Sequence, residues 1–148
     1  GNVDIVIAGT TCVDFSLLNT KKQAYFEGGE STDTFFGMML YVINHRPPVV
    51  LIENVKNAPW RNMQVYFEYA GYTTWLSQRD TKKHYIPHTR ERGYLVAFLK
   101  PNKKQGERWV LPKSLPREWA RRVDELERPA TATIDDFLLP APCCLNRK

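Results

Sequence analysis

The chain has 148 residues, 43% of them hydrophobic and 25% charged, which suits one globular domain and leaves little room for a second. It contains no apolar run long enough to span a bilayer and no charged-then-apolar signal pattern in its first residues. A formal net charge of +5 permits a polyanionic partner without requiring one.

In chain order, VDIVIAG (residues 3–9) has the β-branched density of a buried parallel strand, stopped by Gly9. Cys12 follows after two threonines, and a loop rich in Gly, Ser, Thr and Lys runs on to Thr32. STDTFFGMMLYVINHR reads as a helix with N-cap candidates at Ser31 to Asp33 and a buried stripe of Phe36, Leu40 and Ile43. Pro47 and Pro48 end it, and VVLI (49–52) is a second buried strand leading into Glu53-Asn54-Val55. NMQVYFEYA is a helix closed by Gly71, and TTWLSQRD alternates as a strand. A polar connection with His84, Pro87 and His88 leads to GYLVAFL, a fourth strand that begins after Arg92. The order β-α-β-α-β-β predicts an α/β sheet. From Pro101 the composition turns basic and proline-rich, and PREWARRVDELERP reads as a short helix with a stripe of Trp119, Val123 and Leu126. Residues 101–148 are therefore read as a C-terminal extension of a unit spanning 1–100.

The three cysteines, at 12, 143 and 144, have neither a disulfide framework's number nor a metal site's spacing, and fit a reducing intracellular compartment. Cys12 at a strand tip has an ordinary explanation as a small apolar filler. Glu53 could be a helix-start carboxylate and the HTRER run a solvated turn. Taken together they are less ordinary. A crossover between parallel strands puts Cys12 and Glu53 at one carboxyl edge, where open α/β sheets bind ligands, and a hairpin return brings Arg90 and Arg92 there too. A thiolate, a carboxyl group and a guanidinium on one edge support conjugate attack on a heteroaromatic ring. Cytosine presents the matching edges: a carbonyl, a ring nitrogen and an amine.

These residues carry a resemblance. GTTCVDFS resembles the Gly-x-Pro-Cys-Gln-x-Phe-Ser nucleophile motif of the DNA cytosine-5 methyltransferases, LIENV is similar to that family's Glu-Asn-Val motif, and PHTRERGYLVAF resembles its Pro-Gln-x-Arg-x-Arg motif with the strand that follows. The three motifs occur in the family's order over roughly residues 3–99. Thr11 stands at the motif's proline, Val13 at its glutamine and His88 at the second glutamine, departures similar to those of divergent fungal members.

The resemblance implies the catalytic half of a Rossmann-like S-adenosylmethionine-dependent methyltransferase sheet, with a basic C-terminal appendage. It implies that Cys12 attacks C6 of a cytosine flipped out of DNA, that Glu53 meets N3 and the exocyclic amine, and that Arg92 holds O2. It assigns substrate contact to Thr11, Ser16, Asn54, Val55 and Arg90, with residues 13 to 32 as a loop closing over DNA. The implied cosubstrate is S-adenosylmethionine. Its glycine-rich turn and acidic ribose contact are not visible, so most of its site is expected outside this chain, in the remainder of the methyltransferase domain. DNA is the implied partner, no membrane is involved, and a nuclear location follows in a eukaryote and a cytoplasmic one otherwise. Alternatives of other kinds are a non-catalytic member that binds DNA or a partner protein, and a tRNA cytosine-5 methyltransferase of the same fold.

Overall fold

The computed structural model describes residues 3–13, 28–101 and 111–138. Their elements are β1 (Ile5–Gly9), α1 (Glu30–His45), β2 (Val49–Val55), α2 (Trp60–Tyr69), β3 (Tyr72–Asp80), β4 (Glu91–Leu99) and α3 (Leu115–Glu125), with 3-10 turns at Thr81–Lys83 and Ile134–Phe137. The strands form one mixed sheet ordered β1-β2-β4-β3. β1 and β2 are parallel, and β4 runs antiparallel to both of its neighbours. The carboxyl ends of β1, β2 and β3 therefore share one edge, and the β3–β4 hairpin turns there.

Period-2 alternation divides the strands between two faces. On one face Val50, Ile52, Tyr72, Leu95, Ala97 and Leu99 meet Phe35, Met39 and Val42 of α1 and Trp60, Met63 and Phe67 of α2. Each large apolar side chain buried there contributes about 1.5–3 kcal/mol, so this contact is the main source of the fold's stability.

The expected stripe on α1 is displaced by one residue. Leu40 and Ile43 are 61% and 54% exposed, and the buried face is Phe35, Met39 and Val42. Both triplets have the same helical spacing, and the helix is apolar on both sides of the boundary. Contact with the sheet selects between them. The capping also differs: Gly29 is the N-cap, without a side-chain bond, while Ser31 and Thr32 are buried inside the first turn. Ala70 caps α2, and Gly71 follows it with φ +89.

Two strands are longer than their apolar runs. β2 continues through Val55 and β4 begins at Glu91, because the pairs Glu53 with Tyr94, Asn54 with Gly93 and Val55 with Arg92 extend the ladder. Arg92 is thus inside a strand rather than before one. Gly93 is required there: a Cβ on it would lie 2.2 Å from the Trp60 ring, whose Nε1 donates to the Lys56 carbonyl at 3.0 Å. Gly93→Ala is expected to destabilise the intact protein by the upper end of the about 1–3 kcal/mol typical of overpacking. The measurement is a fall in urea midpoint at unchanged slope, and an unchanged midpoint would show that Trp60 swings aside freely.

On the other face the residues from 111 onward pack against the sheet. The Trp119 and Phe98 rings lie 6.3 Å apart, centroid to centroid. Arg128 donates its backbone N–H to the Lys83 carbonyl at 2.7 Å, and Tyr85 donates to the Arg128 carbonyl at 3.2 Å. Leu126 is exposed, so the stripe of α3 ends at Trp119 and Val123. β1 departs from the buried strand that its composition predicts. It is an edge strand, Ile7 is 74% exposed, and among the described residues no second strand pairs with it. Among the described residues no helix is long and apolar enough to cross a membrane.

Candidate active site

The carboxyl edge is assembled from three segments. The first is the stretch after β1. Gly9 ends the strand opposite Glu53, and a Cβ on Gly9 would lie 3.7 Å from Glu53 Oε2. The chain then passes through Thr10 and Thr11 to Cys12, a half-buried free thiol, and to the exposed Val13. Ser16 and most of the expected closing loop lie outside the described residues, whereas residues 30–32, the end expected for that loop, already belong to α1.

The second segment is the end of β2. Alternation turns Glu53 to the α3 side of the sheet and Asn54 to the α1 and α2 side. Asn54 is 2% exposed. Its Nδ2 donates to the Thr10 hydroxyl at 2.8 Å and to the Thr10 carbonyl at 3.1 Å, and its Oδ1 accepts from the Val55 backbone N–H at 2.7 Å. Asn54 thus ties the end of β2 to the segment that carries Cys12. Val55 packs against the core cluster.

The third segment is the β3–β4 hairpin. Asp80 Oδ1 accepts from the backbone N–H of Lys82 at 3.2 Å and of Arg90 at 3.1 Å. The Lys82 bond foremost, with the Arg90 bond and nearby positive charge, holds the Asp80 carboxyl below its ordinary value of 3.8. These bonds set the turn that delivers Arg92 to the edge.

Arg92 Nε lies 3.1 Å from Glu53 Oε1, with side-chain exposures of 23% and 34%. Cross-strand pairing sets Arg79 directly opposite Arg92, a like-charge pair that is unfavourable unless compensated. Two carboxylates of the C-terminal segment compensate it: Asp124 and Glu127 each hold one end of the Arg79 guanidinium. Arg92 is left to Glu53. Arg90 does not join this pair. It is exposed and lines a pocket of about 310 Å³ with Trp75, Arg79, Tyr94, Val96 and Trp119, between the sheet and α3.

The edge therefore presents a carboxyl–guanidinium pair partly open to solvent, and the half-buried thiol of Cys12 lies on the segment that Thr10 ties to β2. Of the residues singled out in the sequence, Glu53 of β2 and Arg92 of β4 are in contact, and Asn54 joins β2 to the Cys12 segment through Thr10. Thr10, Arg79 and the carboxylates of Asp124 and Glu127 carried no signal in the motifs. Among the described residues no group of three or more His, Cys, Asp or Glu side chains is placed to hold a metal ion.

The family model for C-5 cytosine-specific DNA methylase matches residues 1–139. The chain is 45% identical over 139 residues to DNA (cytosine-5-)-methyltransferase DMT5 of Cryptococcus neoformans var. grubii, a match covering 94% of this chain and 6% of that protein. It is 30% identical over 132 residues to the Type II methyltransferase M.SsoII of Shigella sonnei, covering 84% of this chain and 34% of that protein. The structure of the S. pombe Dnmt2 methyltransferase superposes with a TM-score of 0.59 at 19% identity, covering 98% of this chain and 42% of that one. That likeness gives the fold alone: the mixed sheet is part of a Rossmann-like α/β architecture of the kind found in that protein. The chain spans about a third or less of the curated relatives named here. It belongs to the C-5 cytosine-specific DNA methylase family.

Proposed function

We propose that residues 1–100 form the cytosine-handling half of a DNA (cytosine-5) methyltransferase domain, with residues 101–148 as an extension of it. The observation that carries this reading is the Glu53–Arg92 pair, set on the edge to which Asn54 ties the Cys12 segment. A carboxyl group beside a guanidinium matches the ring nitrogen and carbonyl of cytosine, side by side on one edge of the base. C6 is inaccessible in a stacked duplex, so the base is extruded to reach Cys12.

In this mechanism the Cys12 thiolate forms a bond to C6, and the displaced electron pair moves through C5 toward N3. Glu53 shares a proton with N3 and accepts from the exocyclic amine, which makes the ring electrophilic. Arg92 holds O2 through charge-assisted hydrogen bonds. S-adenosylmethionine, when bound, supplies the electrophilic methyl group that C5 takes up. Loss of the C5 proton then expels Cys12 and restores the 5,6 double bond. Thr11, Asn54 and Val55 shape the pocket wall, Ser16 contacts the substrate, and Arg90 meets the DNA backbone.

Most of the methyl donor's site is expected in the remainder of the methyltransferase domain. The turn after β1 reads GTTC, and no strand in the sequence is followed by the glycine-rich turn that seats its adenosyl group. The edge of β1, unpaired among the described residues, favours a continuation of the sheet by the remainder of the domain. With DNA as substrate, the enzyme works in the nucleus if its source is eukaryotic and in the cytoplasm otherwise.

The test is methyl transfer by the full-length enzyme to duplex DNA and to tRNA. Transfer to DNA is expected, and transfer to tRNA alone would overturn the choice of substrate. The arginines separate under a salt series. Arg92→Ala is expected to lower single-turnover methylation while leaving the salt slope of DNA binding unchanged. Arg90→Ala is expected to weaken binding and flatten that log–log slope by about 0.9, the value for one phosphate contact on B-DNA. If neither variant changes either quantity, HTRER is a solvated turn.

A further inference from the structure

The family's nucleophile motif has proline immediately before cysteine, and this chain has Thr11 there. Proline would restrict that segment twice, by setting its own φ and by biasing the preceding residue to extended backbone. The preceding residue is Thr10, and it is held in another way. Both its hydroxyl and its carbonyl accept from Asn54 Nδ2, at 2.8 and 3.1 Å, from a side chain that is 2% exposed. With Oδ1 bonded to the Val55 N–H, the hydrogen-bonding groups of Asn54 are engaged. The bonds join residues 44 apart in sequence, so they fasten the Cys12 segment to the end of β2, where Glu53 stands.

We propose that Thr10 is a positioning residue whose hydroxyl, held by Asn54, supplies the backbone restraint that proline supplies in the motif, and so places Cys12 for attack. This rests on the reading of Cys12 as the nucleophile. Thr11 does not have positive φ, and among the described residues its backbone N–H makes no hydrogen bond. A proline at position 11 would therefore remove no bond among the described residues.

The experiment uses the full-length enzyme and duplex DNA carrying 5-fluorocytosine at the target, and reads the rate of covalent adduct formation, DNA affinity and thermal midpoint. Thr10→Val keeps the β-branched shape and removes the acceptor. It is expected to slow adduct formation by about 3- to 10-fold, the equivalent of one hydrogen bond, at unchanged affinity. Thr10→Ser, which retains the hydroxyl, is expected to keep the wild-type rate. Thr11→Pro added to Thr10→Val is expected to restore it. A normal rate in Thr10→Val, or a slow rate that Thr11→Pro does not restore while the thermal midpoint is kept, overturns the proposal. If Thr10→Val loses its midpoint, the Thr10→Ser rate decides: a wild-type rate upholds the role of the hydroxyl and a slow one overturns it. Failure of the underlying reading looks different: the wild-type enzyme forms no adduct, or Cys12→Ser still forms one.

Discussion

Cys12→Ser is expected to abolish the covalent adduct between the full-length enzyme and duplex DNA containing 5-fluorocytosine. Attack at C6 needs a soft nucleophile that is populated as an anion near neutral pH. A thiol meets that need, whereas a serine hydroxyl in the same place ionises far less readily and is a poorer nucleophile toward a conjugated ring. The fluorine at C5 cannot leave as a proton does, so the wild-type enzyme halts as an adduct that survives denaturation and is counted on a gel. The expected contrast is all or none. An adduct in the serine variant would place the nucleophile elsewhere and dissolve the constellation at the carboxyl edge. Serine is close to cysteine in size, and Cys12 lies in a half-buried segment beyond the end of β1. Binding of unmodified duplex is therefore expected to persist, which separates loss of chemistry from loss of fold.

Glu53→Gln is expected to lower single-turnover methylation by roughly 10²–10⁴, the range for a group that exchanges a proton with the reacting ring. Glutamine is nearly isosteric and still offers a carbonyl oxygen to Arg92, but it cannot share an acidic proton with N3. The structural cost is small by comparison. The Glu53–Arg92 pair is 34% and 23% exposed, so solvent screens it and its loss costs at most about 1 kcal/mol. A rate loss of about two to four decades with a nearly unchanged thermal midpoint can arise only from chemistry. Turnover within a few-fold of wild type would remove Glu53 from the mechanism and leave it a partner of Arg92 alone. DNA affinity is expected to change less than rate, because the carboxyl acts most strongly as the ring gains electrons.

The motifs that identify the family were legible along the chain because each is local. A cysteine after a β-branched strand, Glu-Asn-Val after VVLI and an Arg-x-Arg before a fourth strand are one-dimensional patterns. The alternation of elements was enough to predict that their strand ends share an edge. The sheet has that arrangement, with β1 and β2 parallel and β3 and β4 as a hairpin. The family model and the fungal relative agree with the resemblance in the motifs.

What the sequence by itself determined is the family, the α/β class, the order of the elements and which chemistry-bearing residues sit near strand ends. Periodicity and short motifs report a residue's own neighbourhood, and that suffices for those properties. The tertiary structure decided the rest. On α1, two apolar stripes of identical spacing were available, and only contact with Val50, Ile52 and the α2 side chains chose Phe35, Met39 and Val42 over Leu40 and Ile43. The extension of β2 and β4 through polar residues came from cross-strand pairing, which no local propensity records. That pairing also set Arg79 against Arg92, so that carboxylates from α3 and just beyond it, more than forty residues away in sequence, hold the first while Glu53 takes the second. The tie from Asn54 to Thr10 is of the same kind. Each depends on where a distant segment comes to rest, and a bond between residues 44 positions apart exists only once the sheet has formed.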